Sequence, residues 1–577
     1  MKRLLTLLIL LGLISTAHAG EVGTQRALSI AQRVLGDATR SSDVVVAWDS
    51  SLFSTTRVEV VEPTFYVVRP TSGPGFVIVS GDDVVAPVLA YSTTYYAPTM
   101  TLLPRNFEAW LRYVDTTVRR AREQGVKQSS ATAELWAEEY KPVGALMLNT
   151  ARWSQMAPYN YFCPVDNGAY SLTGCTQTAM AVIMKHHRWP ESAKGVTEAY
   201  TTMYGLPVPA RDLNHAYDWD SMLDSYVEGY YTTIQATAVA VLMADLGHAF
   251  KAEYTANDTA AMPDMMSLYQ NFSYSPASQI VTRGGHSDSY WKSMLRGEIE
   301  TNRPVFYAGY TSDWAGHAFV IDGVDDNDYF HVNWGWGGVY DGFFLIDNLI
   351  LGEEYLFDTE HWAVFGMHPL RDGEIDNWIS LYSTGLNVEP REFTSGEPFT
   401  IRSISYCNFS QLSFKGQMRV GLADLNGEFK SWVSEPFGVD LGVNYATSEQ
   451  YVSAIINDNI EQGDRLYVYY KSNTSEKWFR MRGSVESASD EVIVKYPPIG
   501  DNTSLSFDRS SGLVVVEYDD DVKAALYLLS SSVESGVTIT RGRMTIDTRC
   551  LSPGVYTIYL VREGVEDKRI SFQLNRD

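Results

Sequence analysis

Cysteine is scarce in this chain. Four residues in 577, Cys163, Cys175, Cys407 and Cys550, are widely scattered. That is too few for a disulfide scaffold, and no C-x-x-C pair or paired Cys/His spacing suggests zinc. Basic charge is short as well. Against 70 Asp and Glu stand only 45 Lys and Arg, a formal net charge of -25. A phosphate backbone would be repelled, which argues against a nucleic-acid partner. Long apolar runs are missing beyond the first 14 residues, and that one is too short to span a bilayer. No transmembrane segment is expected in the mature form.

What is present begins with Met1-Lys2-Arg3, an apolar run to Ile14, and Ala17-His18-Ala19. This reads as a secretory signal peptide, residues 1–19, cut after Ala19. The expected location is secreted or cell-surface. The content is 45% hydrophobic and 20% charged, so most of the chain should fold, as three or four domains.

Residues 20–141 read as a compact α+β unit. A helix is expected over 27–34, strands over 65–68, 75–83 and 85–91, and a longer helix over 105–123. No catalytic set lies within it, so it is either a pro-segment or an independent binding module. An acidic stretch over 131–140, with Glu134, Glu138 and Glu139, reads as an exposed linker where processing would occur. From 142 to 370 the texture becomes aromatic. Helices are expected within 173–190, opening at Cys175 and stopped by Pro190, and over 220–226, 232–251 and 289–301, and strands over 304–310, 316–324, 329–338 and 343–346. Asp325-Asp326-Asn327-Asp328 reads as a hydrated hairpin turn rather than a calcium loop. Helix signals then vanish. A β-sandwich is expected over 371–494, a joint at 497–500, and a small β domain over 495–577.

One stretch organises the rest. Thr173 and Gly174 offer a helix start, Ala179, Val182 and Ile183 fall on one apolar face, and Lys185 to Arg188 load the last turn with positive character. Pro190 ends the helix. Cys175 sits where unpaired N–H groups and the helix dipole favour a thiolate. A small buried Cys capping a core helix is the plainer reading. A Cys163–Cys175 disulfide would abolish the nucleophile.

A nucleophilic thiol needs a base, a group that orients the base, and oxyanion donors. His317 follows Cys175 by 142 residues and Asn333 by 158. Papain-like enzymes place His and Asn roughly 130–150 residues after their Cys. Gln155 lies 20 residues before Cys175, where a papain-like oxyanion glutamine is expected. His331 is the rival base, but it sits inside a strand after Phe330 and reads as structural. Trp334 would shield a His317–Asn333 hydrogen bond from water, or would simply pack in the core.

Thr173-Gly174-Cys175 with its Thr/Ala-rich helix and His187-Arg188-Trp189-Pro190 resembles the nucleophile segment of the streptopain family of cysteine peptidases. Gly316-His317-Ala318-Phe319-Val320-Ile321-Asp322-Gly323 and His331-Val332-Asn333-Trp334-Gly335-Trp336-Gly337-Gly338 resemble its His and Asn/Trp segments. Trp153-Ser154-Gln155 resembles the segment bearing the oxyanion glutamine. Residues 20–140 resemble the family's pro-domain, notably Gly75-Phe76-Val77-Ile78-Val79-Ser80-Gly81-Asp82-Asp83. Leu551-Ser552-Pro553-Gly554-Val555-Tyr556-Thr557-Ile558-Tyr559-Leu560 resembles the sorting domain of the bacterial type IX secretion system.

The resemblance implies an α+β architecture: a papain-like cysteine peptidase domain preceded by an α+β pro-domain and followed by all-β sandwich domains. It implies a zymogen that hydrolyses protein substrates without a cofactor, restrained by its own pro-domain. Its catalytic residues would be Cys175, His317, Asn333, Gln155 and Trp334. The rival is an inert surface adhesin or binding protein that uses its β domains. An amidase or transglutaminase would keep the same Cys–His chemistry.

Overall fold

The structure is a computed structural model. It describes residues 20–36, 43–53, 62–100, 103–137, 144–284, 286, 288–310, 316–346, 361–371, 377–389, 393–447, 450–461, 463–483, 491–494, 503–508, 511–519, 522–528, 531–562 and 568–574. The expected signal peptide, the linker end at 138–143 and the joint at 497–500 lie outside these residues. The chain divides into two compact units, Met1–Asp376 and Asn377–Asp577. No helix among the described residues is long and apolar enough to cross a membrane.

The first unit is built on one eleven-stranded sheet. Its strands are β1 (Val44–Asp49), β2 (Phe65–Pro70), β3 (Phe76–Ser80), β4 (Val88–Ser92), β5 (Leu146–Met147), β6 (Gln279–Thr282), β7 (Val305–Tyr310), β8 (Gly316–Val324), β9 (Phe330–Asn333), β10 (Gly342–Phe344) and β11 (His361–Phe365). The order is β1-β2-β3-β4-β10-β9-β8-β7-β11-β6, with β5 on the end of β8. Pairing of Phe343 with Tyr91 and of Phe344 with Ala90 joins the N-terminal strands to the rest. Strands β3 and β4 are buried along their whole length. Such strands need cover on both faces, as their unbroken apolar runs imply.

Helix α1 (Thr24–Gly36) covers one face of β1 to β3, with Ala27, Ile30, Ala31 and Val34 buried. Helix α2 (Arg105–Gln124) covers the other through Phe107, Leu111, Val114 and Val118. Gly125, in the left-handed region, ends it by returning its N–H to the last carbonyls. The stretch 131–140, read from sequence as linker, is helical over most of its described part, in α3 (Ser130–Ala137). Trp136 explains this: its indole N–H donates to Val85 O and Arg26 stacks on its ring.

Helix α4 (Cys175–His187) packs against β8 and β7 and against α5 (Thr233–Ala249). Its core includes Met180, Ile183, Leu242, Phe306, Val320 and Trp362. The expected helix over 220–226 is absent; turns stand there instead. Asp218 caps Ser221, and Tyr226 turns inward so that its hydroxyl bridges Leu223 and Gln235. Two more helices, α6 (Met265–Gln270) and α7 (Asp288–Glu300), complete the unit. Asp325–Asp328 is a turn held by Asp325 accepting from Asn327 and Tyr329 N–H, with Arg296 paired to Asp328.

The second unit is all β. A four-stranded sheet containing Ile379–Glu389 and Pro398–Asn408 and a six-stranded sheet centred on Phe414–Ala423 and Arg465–Ser472 share one core. Two further four-stranded sheets, around Leu513–Glu517 and Gly554–Val561, enclose Val516, Met544, Ile558 and Leu560.

Candidate active site

Cys175 opens α4, and Gly174 before it makes the turn possible. Gly174 sits at φ 90, a conformation that other residues rarely adopt. A Cβ there would lie 2.5 Å from Gln177 Oε1 and 2.8 Å from the Thr259 carbonyl oxygen. The residue outside the helix is therefore Gly174, not a capping hydroxyl. Thr173 Oγ1 instead meets Thr178 Oγ1 at 2.9 Å. Cys175 and Cys163 are both free thiols, so the disulfide alternative falls.

Ala318, the residue beside His317, lies close enough to the Cys175 thiol for its backbone N–H to favour the thiolate. Burial pushes the thiol's pKa up, and that N–H opposes the shift without overcoming it. This corrects the thiolate expectation for the chain as it stands: desolvation outweighs the helix start. No hydrogen bond joins the thiol to the His317 ring.

His317 is the second residue of β8. Its Nε2 lies 3.0 Å from the Trp334 carbonyl. A carbonyl only accepts, so Nε2 carries the proton and Nδ1 keeps its lone pair. The ring stacks on Trp336 at 4.9 Å and 23° and lies 6.0 Å from Trp334. Burial pushes its pKa down to about 4. Thiol and imidazole are thus both neutral near pH 7.

Asn333 ends β9 opposite Val320, one strand from His317 but on the other face. Its carboxamide does not touch the imidazole. Nδ2 donates to Thr150 Oγ1 at 3.0 Å and to Ala151 O at 2.9 Å, and Oδ1 accepts from Gly335 N–H at 3.1 Å. The expected direct contact is replaced by one intervening peptide group. Gln155 lies beside the nucleophile loop, its carbonyl accepting from Thr173 N–H at 3.1 Å.

Trp334 is a core residue. Its ring stacks on Trp336 at 5.2 Å and 4°, and Phe107 of α2 meets it edge-on at 5.8 Å. Its backbone N–H donates to Asp341 Oδ1 at 3.0 Å. Asp341 is buried, and desolvation pushes its pKa up to about 7. His331, the rival base, is committed elsewhere: its Nδ1 lies 2.5 Å from Asp322 Oδ1. Thr150, Asp322, Trp336 and Asp341 were not legible as site residues. Asp322 offered one signal, an acid inside the apolar run Phe319-Val320-Ile321. Among the described residues no cluster of His, Cys, Asp and Glu is arranged to hold a metal.

Residues 153–344 match the Peptidase C10 family, and residues 19–118 match the Spi protease inhibitor. Streptopain of Streptococcus pyogenes serotype M1 is 33% identical over 313 residues, covering 50% of this chain and 76% of that protein. The thiol protease/hemagglutinin PrtT of Porphyromonas gingivalis is 27% identical over 327 residues, covering 53% of this chain and 37% of PrtT. Among solved structures, a prointerpain A fragment from Prevotella intermedia aligns at 27% identity with a TM-score of 0.43, covering 54% of this chain and 96% of the fragment. The class is thereby defined: a papain-like cysteine peptidase that carries an inhibitor-type pro-domain. The chain belongs to the streptopain family, peptidase family C10.

Proposed function

We propose that the chain is the precursor of a secreted endopeptidase in which Cys175 attacks the scissile carbonyl and His317 is the base. The observation that supports this is that the Cys175 thiol, at the start of α4, lies close to Ala318, the residue beside His317, while the Trp334 carbonyl holds His317 as the Nε2–H tautomer that leaves Nδ1 as the basic nitrogen. His317 then protonates the leaving amine. Gln155 and the Cys175 N–H receive the oxyanion. Asn333 orients His317, and Trp334 with Trp336 keeps water from the ring. Protein substrates are cut without a cofactor.

The N-terminal unit serves as the intramolecular inhibitor. It shares a sheet with the peptidase strands, and Phe107 stacks on Tyr340 at 5.4 Å while touching Trp334. Tyr91 OH donates to Asp325, and Tyr329 OH donates to Val88 O. In this arrangement the neutral His317 makes no hydrogen bond to the thiol, which is how an inactive precursor should look. We assign residues 1–19 to a signal peptide, 20–141 to the pro-domain and 142–370 to the peptidase. Residues 371–494 form a β-sandwich domain and 495–577 a small C-terminal domain, read as a secretion sorting domain. Cleavage near 140–145 would release the enzyme, and N-terminal sequencing of the mature form checks the position. A Cys175→Ala chain should cleave no casein; retained cleavage would end the assignment.

A further inference from the structure

We propose that Asp322 and Thr150 are positioning residues for His317, acting through the Asn333 carboxamide and the Trp334–Gly335 peptide group. This rests on His317 being the base. The chain of contacts is continuous. His317 Nε2–H donates to the Trp334 carbonyl at 3.0 Å. The N–H of the same peptide group, on Gly335, donates to Asn333 Oδ1 at 3.1 Å. Asn333 Nδ2 donates to Thr150 Oγ1 at 3.0 Å, and Thr150 Oγ1–H donates to Asp322 Oδ2 at 2.5 Å. Asp322 Oδ1 closes the chain on His331 Nδ1–H.

Every link from Gly335 to Asp322 donates in one direction, toward the Asp322 carboxylate. Thr150 has one proton and spends it on Asp322, which leaves its oxygen richer for Asn333. Asn333 Oδ1 becomes a stronger acceptor in turn, and a peptide whose N–H is held presents a more negative carbonyl. Hydrogen bonds in series polarise one another this way, most where water is excluded. Asp322, His331, Asn333 and His317 are all buried. The Trp334 carbonyl therefore fixes the Nε2–H tautomer and supports positive charge on His317 when Nδ1 accepts the thiol proton. A directly bonded carboxamide would orient the ring equally well; the relay adds the influence of an anion without burying it against the imidazole. Thr150 is also anchored on a separate segment from β8 and β9, so the link ties the chain between β5 and α4 to the His317 loop.

Nearby charges belong to the same cluster. Asp341 faces His331, Asp322 and Arg152, and holds the Trp334 N–H. It braces the loop from the other side and leaves the Trp334 carbonyl to His317.

The test uses the full chain after maturation, with active sites titrated by an epoxysuccinyl probe. Thr150→Val removes the hydroxyl at nearly constant volume, and Thr150→Ser keeps it. Thr150→Val should lower kcat about tenfold with KM little changed, the scale of lost outer-contact hydrogen bonds. The acid limb of its pH–kcat profile, set by protonation of the His317 base, should move to lower pH, because the imidazolium loses support and its pKa falls. Thr150→Ser should restore both. Asp322→Asn should move the profile in the same direction, and where it fails to fold the Thr150 pair decides alone. Wild-type kcat and pH profile in Thr150→Val would overturn the proposal. A loss that Thr150→Ser does not rescue would overturn it too. His317→Ala is the separate control: an active His317→Ala enzyme sinks the base assignment itself, whatever Thr150 does.

Discussion

His317 and Asn333 hold opposite ends of one peptide group. The ring donates to the Trp334 carbonyl, and the carboxamide accepts from the Gly335 N–H of the same plane. The two side chains lie on opposite faces of the sheet and never meet. Their coupling passes through the backbone, so it depends on the left-handed Gly335, at φ 74, that lets the loop turn there.

The precursor thiol should be sluggish. Burial holds the Cys175 pKa above its ordinary value, and a thiol reacts through its thiolate. Alkylation of the full-length precursor by iodoacetamide at pH 7 should be slow and still climbing at pH 9. After maturation the rate at pH 7 should rise at least tenfold. Equal rates before and after would show that the pro-domain does not control the thiol.

Phe107 should anchor the pro-domain. It is fully buried, against Trp334, Tyr340 and Phe344. Phe107→Ala in a Cys175→Ala background should cost about 3 kcal/mol of stability, the usual scale for a large buried ring. In the active background the same change should hasten maturation. Thermal unfolding and the time course of processing measure the two effects.

Gly174→Ala should damage both fold and activity. The new Cβ meets the Thr259 carbonyl at 2.8 Å in a backbone conformation alanine disfavours. A loss above about 1 kcal/mol follows from the conformation alone. Because Gly174 immediately precedes the nucleophile, kcat should fall further than the melting temperature predicts. Normal kcat in Gly174→Ala would mean that the start of α4 does not set the thiol's position.

Asp341 should leave a mark on pH stability. Its folded pKa is raised to about 7, so the folded state binds a proton that the unfolded chain has lost. Stability from this group is present below the ordinary carboxylate pKa and is lost as pH rises toward 7. Asp341→Asn cannot titrate, and urea unfolding should show a flatter profile between about pH 4 and 7. An unchanged slope would contradict the burial of an ionisable carboxyl at this position.

The nucleophile helix was legible because its apolar face, its basic last turn and Pro190 agree on one element. The strands around His317 were legible from their apolar runs and turn residues. The 220–226 helix was misread because Asp218 and Tyr226 make turn contacts that local propensity does not contain. Residues 131–137 look like linker until Trp136 finds Val85, 51 residues away. The relay was hidden for the same reason. Thr150 lies 183 residues before Asn333, and no spacing rule joins a threonine to an asparagine across that distance. The thiol's raised pKa was missed because a helix start is visible in sequence, whereas the burial that outweighs it is tertiary.

The central claim is that Cys175 is a nucleophile served by His317. Mass spectrometry of the reduced, matured protein after treatment with an epoxysuccinyl probe tests it most directly. One adduct on Cys175, absent from His317→Ala and from the unprocessed precursor, is the expected result. No adduct on correctly matured, reduced protein, or an adduct that persists in His317→Ala, would contradict it.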